Sequence, residues 1–283
     1  MDILIFSWRD IKHPLAGGAE QVMHEHAKGW IAAGHKVTHF SSRFKGSKEI
    51  EVIDGVEIKR GGHQYYFGVQ LAGFIYYFKN RKKFDLIIDE FHGFPFFTPI
   101  YARGKKLTVV QETARYVWFL NPLPWPIKWI IGLIGYIVEP FSFLFYKNIV
   151  FMTGSSSAKA DIIKMRIKSG NIKIIPHGVI VPEIFKLQKK DKKKTIVFLG
   201  KLSEDKGIED VIHCFSILNY KGNFQFWIIG KSETKQYEEK INDLVKKTEL
   251  KGKIKFWGFV SQKKKFELLS RAFVLVNPSV REG

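Results

Sequence analysis

Short runs of consecutive apolar residues alternate with stretches of helical spacing along nearly the whole chain. This is the pattern of parallel strands joined by crossover helices. In the first part, the runs at 2–8, 36–42, 56–61, 85–91, 107–112, 149–154 and 172–176 predict strands. Several are unbroken β-branched or aromatic runs, as strands covered on both faces require. Helical spacing covers 19–33 and 155–167, the second opening on Ser155, Ser156 and Ser157 as N-cap candidates. A hydrophilic break follows at 183–194, EIFKLQKKDKKK, with six lysines and no apolar periodicity after Leu187. Strands at 195–200, 224–230, 254–259 and 273–277 then alternate with helices at 204–218, 236–249 and 263–272. The expected architecture is α/β in two domains, 1–182 and 195–283, with 183–194 as a solvated connection. The second domain stops just past a strand and reads as incomplete.

One segment breaks the alternation. Residues 121–147, NPLPWPIKWIIGLIGYIVEPFSFLFYK, are rich in Trp, Ile and Phe. Their longest uncharged stretch, 129–138, is far short of the ~20 residues that cross a bilayer. Two readings stay open: a helix lying on a membrane with Lys128 and Lys147 at its flanks, or a kinked, mostly buried surface helix. The 283 residues, 45% hydrophobic, are enough to bury a core and suggest about two domains. The single cysteine, Cys214, excludes a disulfide framework and a cysteine-built zinc site, and fits a reducing compartment. The start of the chain lacks the basic and apolar regions of a signal peptide. A net charge of +19 attracts anionic partners such as nucleic acid, acidic lipid or phosphorylated small molecules.

Three loops carry candidate chemistry, each following a predicted strand. In LAGGAEQ, at 15–21, Gly17 and Gly18 precede a helix, where backbone N–H groups and the helix dipole favour an anion. The loop has neither the dinucleotide fingerprint nor the Walker lysine. In GKLSEDKG, at 200–207, Lys201 and Lys206 flank a short loop and could neutralise a diphosphate. In NPSVREG, at 277–283, Glu282 is a carboxylate suited to sugar hydroxyls. Each loop alone could be an ordinary solvated turn.

Together the loops, with HGFPFFTP at 92–99, VWF at 117–119, GSSSAKADI at 154–162, IPHGV at 175–179, IIG at 228–230 and GFV at 258–260, resemble family 4 glycosyltransferases. The resemblance spans nearly the whole chain in order. It implies the GT-B fold, two facing Rossmann-like domains, the first binding the acceptor and the second a nucleotide-diphosphate sugar. It further implies transfer with retention of configuration, no metal and no other cofactor. Carried over by position, Lys201 and Lys206 match the basic pair on the donor diphosphate, and Gly17 and Gly18 the loop that reaches it. Glu282 matches the first glutamate of E-x7-E, near the donor sugar, and Val260 falls beside the nucleobase.

Three features depart from the family pattern. Lys201 stands where arginine is usual, and lysine lacks the bidentate fork. Gln111, or Glu112 if the register shifts by one, stands where a histidine near the reacting sugar is usual; Gln cannot shuttle a proton. His92 is a nearby loop histidine. The second glutamate of E-x7-E is missing, so the chain is expected to be truncated. The aromatics at 63–67, 74–78 and 125–145 with the basic patches point to a glycan or lipid-linked acceptor, such as a polysaccharide precursor, at the cytoplasmic face of a membrane, with the protein cytoplasmic or peripheral there. The alternatives are a GT-B remnant that binds without transfer, and a basic nucleic-acid-binding protein, against which no recognition motif is present.

Overall fold

The structure is a computed structural model that describes residues 1–63, 68–91, 93–121, 123–178, 188–248, 250 and 252–280. The chain divides into two compact units, Met1–Gly178 and Val179–Glu282.

The first unit is built on an eight-stranded sheet in the order β3-β4-β2-β1-β5-β6-β7-β8. Its strands are β1 Asp2–Phe6, β2 Lys36–Arg43, β3 Ile50–Ile53, β4 Val56–His63, β5 Leu86–Phe91, β6 Lys105–Val110, β7 Val150–Thr153 and β8 Ile172–Ile174. All pairings are parallel except β3 with β4. That hairpin was not expected, although its turn is written as Asp54-Gly55. Both residues have positive φ, 50° and 82°, the geometry that Asp-Gly turns favour between strands. The helices are α1 Gly18–Ala32, α2 Gly68–Asn80, α3 Thr98–Tyr101, α4 Ile127–Leu144 and α5 Ser156–Lys164. The side of the sheet bearing Ile3, Ile5, Ile88 and Val109 packs on Met23 and Ala27 of α1. The opposite side takes Val69 and Tyr77 of α2 and Phe143 of α4.

Asp89 ties that opposite side together. Its buried carboxylate accepts from the Phe96 and Thr98 amides at 3.0 and 3.1 Å, from the Thr98 hydroxyl, and from the Tyr146 hydroxyl just past α4. The aromatic stretch at 127–144 is a single helix, and of the two readings left open for it the mostly buried one does not hold. Only 28% of it is buried. Gly132 and Gly135 let it approach Phe119 and Trp118, where any Cβ would fall within 2.6 and 2.2 Å of those rings.

The second unit holds a four-stranded parallel sheet, β11-β10-β9-β12, from β9 Lys194–Leu199, β10 Phe224–Ile229, β11 Ile254–Gly258 and β12 Val274–Val276. Its helices are α6 Ile208–Asn219, α7 Lys235–Lys247 and α8 Gln262–Arg271. The helix expected at 204–218 is interrupted: Glu204–Lys206 is a 3-10 turn, and Gly207 at φ +67° breaks it from α6. Over its described part the lysine-rich connection is exposed at every position but the half-buried Asp191, yet it is tied to the second unit. Asp191 pairs with Arg271 at 2.9 Å and accepts from Gln225, and the Lys190 ammonium donates to the Ala272 carbonyl.

The loop after β1 is anchored by a fully buried ion pair. Arg60 of β4 donates through Nε and Nη2 to the two Asp10 oxygens at 2.7 and 2.9 Å. Ser41 and the Lys12 amide also donate to Asp10, and Arg60 Nη1 reaches the Lys48 carbonyl and Glu51 at 3.0 Å. Burial would raise the Asp10 pKa, but the Arg60, Lys12 and Ser41 hydrogen bonds outweigh it and hold it below the usual value. Removing one partner strands the other charge in the interior. Arg60→Met is therefore expected to destabilise the first unit by about 3–5 kcal/mol, read as a lowered midpoint in urea unfolding. A loss under about 1 kcal/mol would show that this pair does not hold the loop.

Candidate functional site

In an open parallel sheet, ligands bind beyond the carboxyl ends of the strands, where the strand order reverses. In the second unit that reversal falls between β9 and β12, so the loops at 200–207 and 277–280 border the crevice. Lys201 follows β9, and Lys206 closes the 3-10 turn before α6. Two glycines allow the loop ends to converge. A Cβ on Gly207 would lie 2.7 Å from the Pro278 carbonyl oxygen, and one on Gly230 only 1.8 Å from that of Gly200. Backbone bonds complete the rim: Leu202 N–H to Lys231 O at 2.9 Å, Glu233 N–H to Leu202 O at 3.0 Å, and Val280 N–H to Asp205 O at 2.9 Å.

The structure therefore brings Lys201, Lys206 and the 277–280 loop to one sheet edge. Lys201 is not idle there: its Nζ lies 2.8 Å from Glu233 Oε1. Lys206 Nζ lies 3.9 Å from Asp205 Oδ2. Glu233, 32 residues from Lys201 in sequence, gave no sequence signal of the pairing. Val260 follows β11 at the same edge, with its side chain packed into the cluster of Trp227 and Leu268. Glu282 and His92 lie outside the described residues.

In the first unit the order reverses between β1 and β5. The loop from β1 leads to Gly17 and Gly18 at the N-terminus of α1. Gly17 N–H donates to Glu20 Oε2 at 2.7 Å, and Glu20 Oε1 accepts from Arg9 Nε at 2.8 Å. A carboxylate from its own helix thus already occupies one amide that an anion would use. A Cβ on Gly18 would meet nothing within 4 Å, so packing does not demand glycine there. Gln111 follows β6, and both its side-chain polar atoms are buried without a hydrogen-bond partner. Glu112 beside it is exposed.

The same edge holds a residue the sequence reading passed over, Glu90 of β5. Strand register puts Ile5 beside Ile88 and Val109 beside Glu90, so Ser7, Glu90 and Gln111 fall on the α1 side of the carboxyl edge. Glu90 is 1% exposed, with the Ser7 hydroxyl beside it. Burial, reinforced by the charge of Glu20, pushes its pKa up to about 8. On the same side, burial drives His39 down to about 4, leaving it neutral. The available signal was two adjacent acids inside an apolar run, LIIDEF. Since the folded pKa lies above the unfolded one, Glu90 holds a proton in the folded state that the unfolded chain has lost. Its contribution is complete below about pH 4.5 and is lost as pH rises towards 8, at up to about 1.4 kcal/mol per unit. Glu90→Gln should flatten the fall in stability between pH 5 and 8, measured by urea unfolding across pH. An unchanged slope would show that Glu90 ionises normally.

Two sequence-family comparisons and several solved structures agree with this layout. The family described as Glycosyltransferase Family 4 matches residues 16–181, and that described as Glycosyl transferases group 1 matches residues 181–283. None of the curated proteins matches the chain. Sucrose-phosphate synthase from Thermosynechococcus elongatus superposes with a TM-score of 0.76 at 17% identity, over 99% of this chain and 76% of that one. WaaG, a glycosyltransferase involved in lipopolysaccharide biosynthesis, gives 0.73 at 13% identity, over 99% and 75%. Anabaena HepE, solved with UDP and glucose, gives 0.65 at 16% identity, over 99% and 74%. At these identities the structures speak for the fold, GT-B with its two Rossmann-like units. The family match spans more than half of the sequence and includes the Gly17–Gly18 loop and the β5 and β6 edges, and on it the chain belongs to glycosyltransferase family 4.

Proposed function

We propose that this glycosyltransferase moves a sugar, with retention of configuration, from a nucleotide-diphosphate donor to a glycan or lipid-linked acceptor at the cytoplasmic face of a membrane. The observation that carries the reading is the convergence of Lys201, Lys206 and the α6 N-terminus on the switch-point edge of the second sheet. The reading is supported by HepE, whose structures hold UDP and UDP-glucose. Departure of a nucleoside diphosphate builds negative charge. Fixed ammonium groups and backbone dipoles stabilise such charge without reorganising. In this reading those groups serve in place of a metal ion or other cofactor. In this reading the resemblance assigns Val260 to the base, Glu282 to the donor sugar, and Gly17 and Gly18 to the diphosphate.

On the acceptor side, Gln111 or Glu112 positions the reacting hydroxyl. A second reading, binding without transfer, is favoured by one observation: Gln111 offers an amide where a proton carrier would stand.

Calorimetric titration with UDP, GDP and their sugar conjugates tests the donor site. One nucleotide should bind, and Lys206→Ala should weaken it by roughly 10- to 100-fold, the worth of a hydrogen bond to a charged group. Lys201→Ala should weaken it as well, the donor displacing Glu233 from that ammonium. No binding by the folded chain would overturn the reading. Binding without product in a donor-hydrolysis and transfer assay would favour the second.

A further inference from the structure

Two helices of the first unit carry their apolar stripes outward. On α2 the residues Leu71, Phe74, Ile75 and Phe78 recur at helical spacing and are 40–61% exposed. On α4, Ile127, Ile130, Ile134, Ile137 and Phe141 do the same, at 48–59%. A helix packed on a sheet turns such a stripe inward. Here the inward positions are held by other residues: Val69, Gly73 and Tyr77 on α2, and Gly132, Gly135, Glu139 and Phe143 on α4.

Aromatic contacts join the two stripes through the α3 segment. Phe145, just past α4, meets Phe97 at 5.8 Å, and Tyr101 at the end of α3 meets Phe74 at 4.9 Å. Phe74 in turn meets Phe78 at 4.6 Å, and Ile100 stands exposed on α3. The result is one continuous apolar surface, well beyond the scattered exposed side chains of an ordinary soluble face.

Charge selects the occupant. Neither α2 nor α3 contains an acidic residue. The single carboxylate of α4, Glu139, is buried and accepts from the Ala114 and Arg115 amides at 2.6 and 2.7 Å and from the Trp118 indole at 3.2 Å. Exposed cations follow each element at its C-terminal end: Lys79, Arg81 and Lys83 for α2, Arg103 and Lys105 for α3, Lys147 for α4. An uncharged apolar face edged by cations complements an acyl layer under anionic headgroups. Glu139 and the close approach of Gly132 and Gly135 to the Trp118 and Phe119 rings hold α4 to its own domain, so it lies along a bilayer instead of crossing it.

We propose that the α2–α3–α4 face is a membrane-docking surface that seats this unit in the interfacial layer of an anionic lipid bilayer. The inference deepens the membrane-side reading of the acceptor given above and rests on it only for the reason the enzyme would dock there.

The test is flotation of the full chain with vesicles of neutral phosphatidylcholine, alone or with 30% phosphatidylglycerol, at about 0.1 M salt. Binding should be stronger to the anionic vesicles and weaken as salt rises. Ile134→Glu with Ile137→Glu should lower partitioning about 100-fold or more, two buried aliphatic side chains being lost. Lys79→Gln with Arg81→Gln and Lys83→Gln should erase the preference for anionic lipid and leave part of the binding. Brominated lipid should quench tryptophan emission, and Trp129→Phe, a mild change at an exposed site, should reduce that quenching. Nucleotide titration of each variant separates this idea from the donor reading: retained donor binding with lost flotation supports the docking surface. Flotation unaffected by the Ile134 and Ile137 changes would overturn it. So would a lipid-free dimer, seen by sedimentation, that those changes dissolve while vesicles go unbound.

Discussion

The buried pair of Asp10 and Arg60 is the interaction on which the architecture of the first unit turns. A charge with no access to water is tolerated only with full compensation. Arg60 provides it from β4, Ser41 from β2, and the Lys12 amide from the loop itself. One residue of the loop after β1 is thereby tied to two strands and, through Glu51, to the β3 hairpin. The path from β1 to the helix start at Gly17 is therefore not a free connection. Arg9 and Glu20 secure its far end. What looks in sequence like a short glycine-containing turn is a loop fixed at both ends.

The two sheets present opposite electrostatic edges. At the carboxyl end of the second, lysines face the crevice. At that of the first, Glu90 is buried and its pKa is pushed up to about 8. Neutral hydrogen-bonding groups suit the hydroxyls of a sugar, whereas the cations suit phosphate.

Legibility differed by kind of signal. The strands of both sheets stood out because parallel strands buried on both sides are continuous apolar runs, as at 195–200 and 224–230. Of the hairpin, β4 was expected as the strand at 56–61, but β3 was passed over because it is short and none of its residues is buried, although Asp54-Gly55 marks the turn. The order of α2 was hidden for a stronger reason. Its most apolar stripe faces outward, so periodicity alone points the wrong side at the core. Lys201 was found from its place after a strand. Its partner Glu233 was not, because the pairing depends on two loops brought together by β9 and β10. Glu90 was visible as an acid in an apolar run, but its protonation depends on a burial that only the folded sheet creates.

The same logic sets the place of the aromatic helix. Gly132 and Gly135 give α4 an inner surface flat enough for Trp118 and Phe119, and Glu139 binds the start of the 115–120 turn through two amides. These contacts use the small and polar residues of the helix. Its large aliphatic ones are left outside, the reverse of what burial of apolar area would select in water alone. Helix α4 thus sets its glycines on its core face and its isoleucines on its outer face, where packing against the domain does not select them.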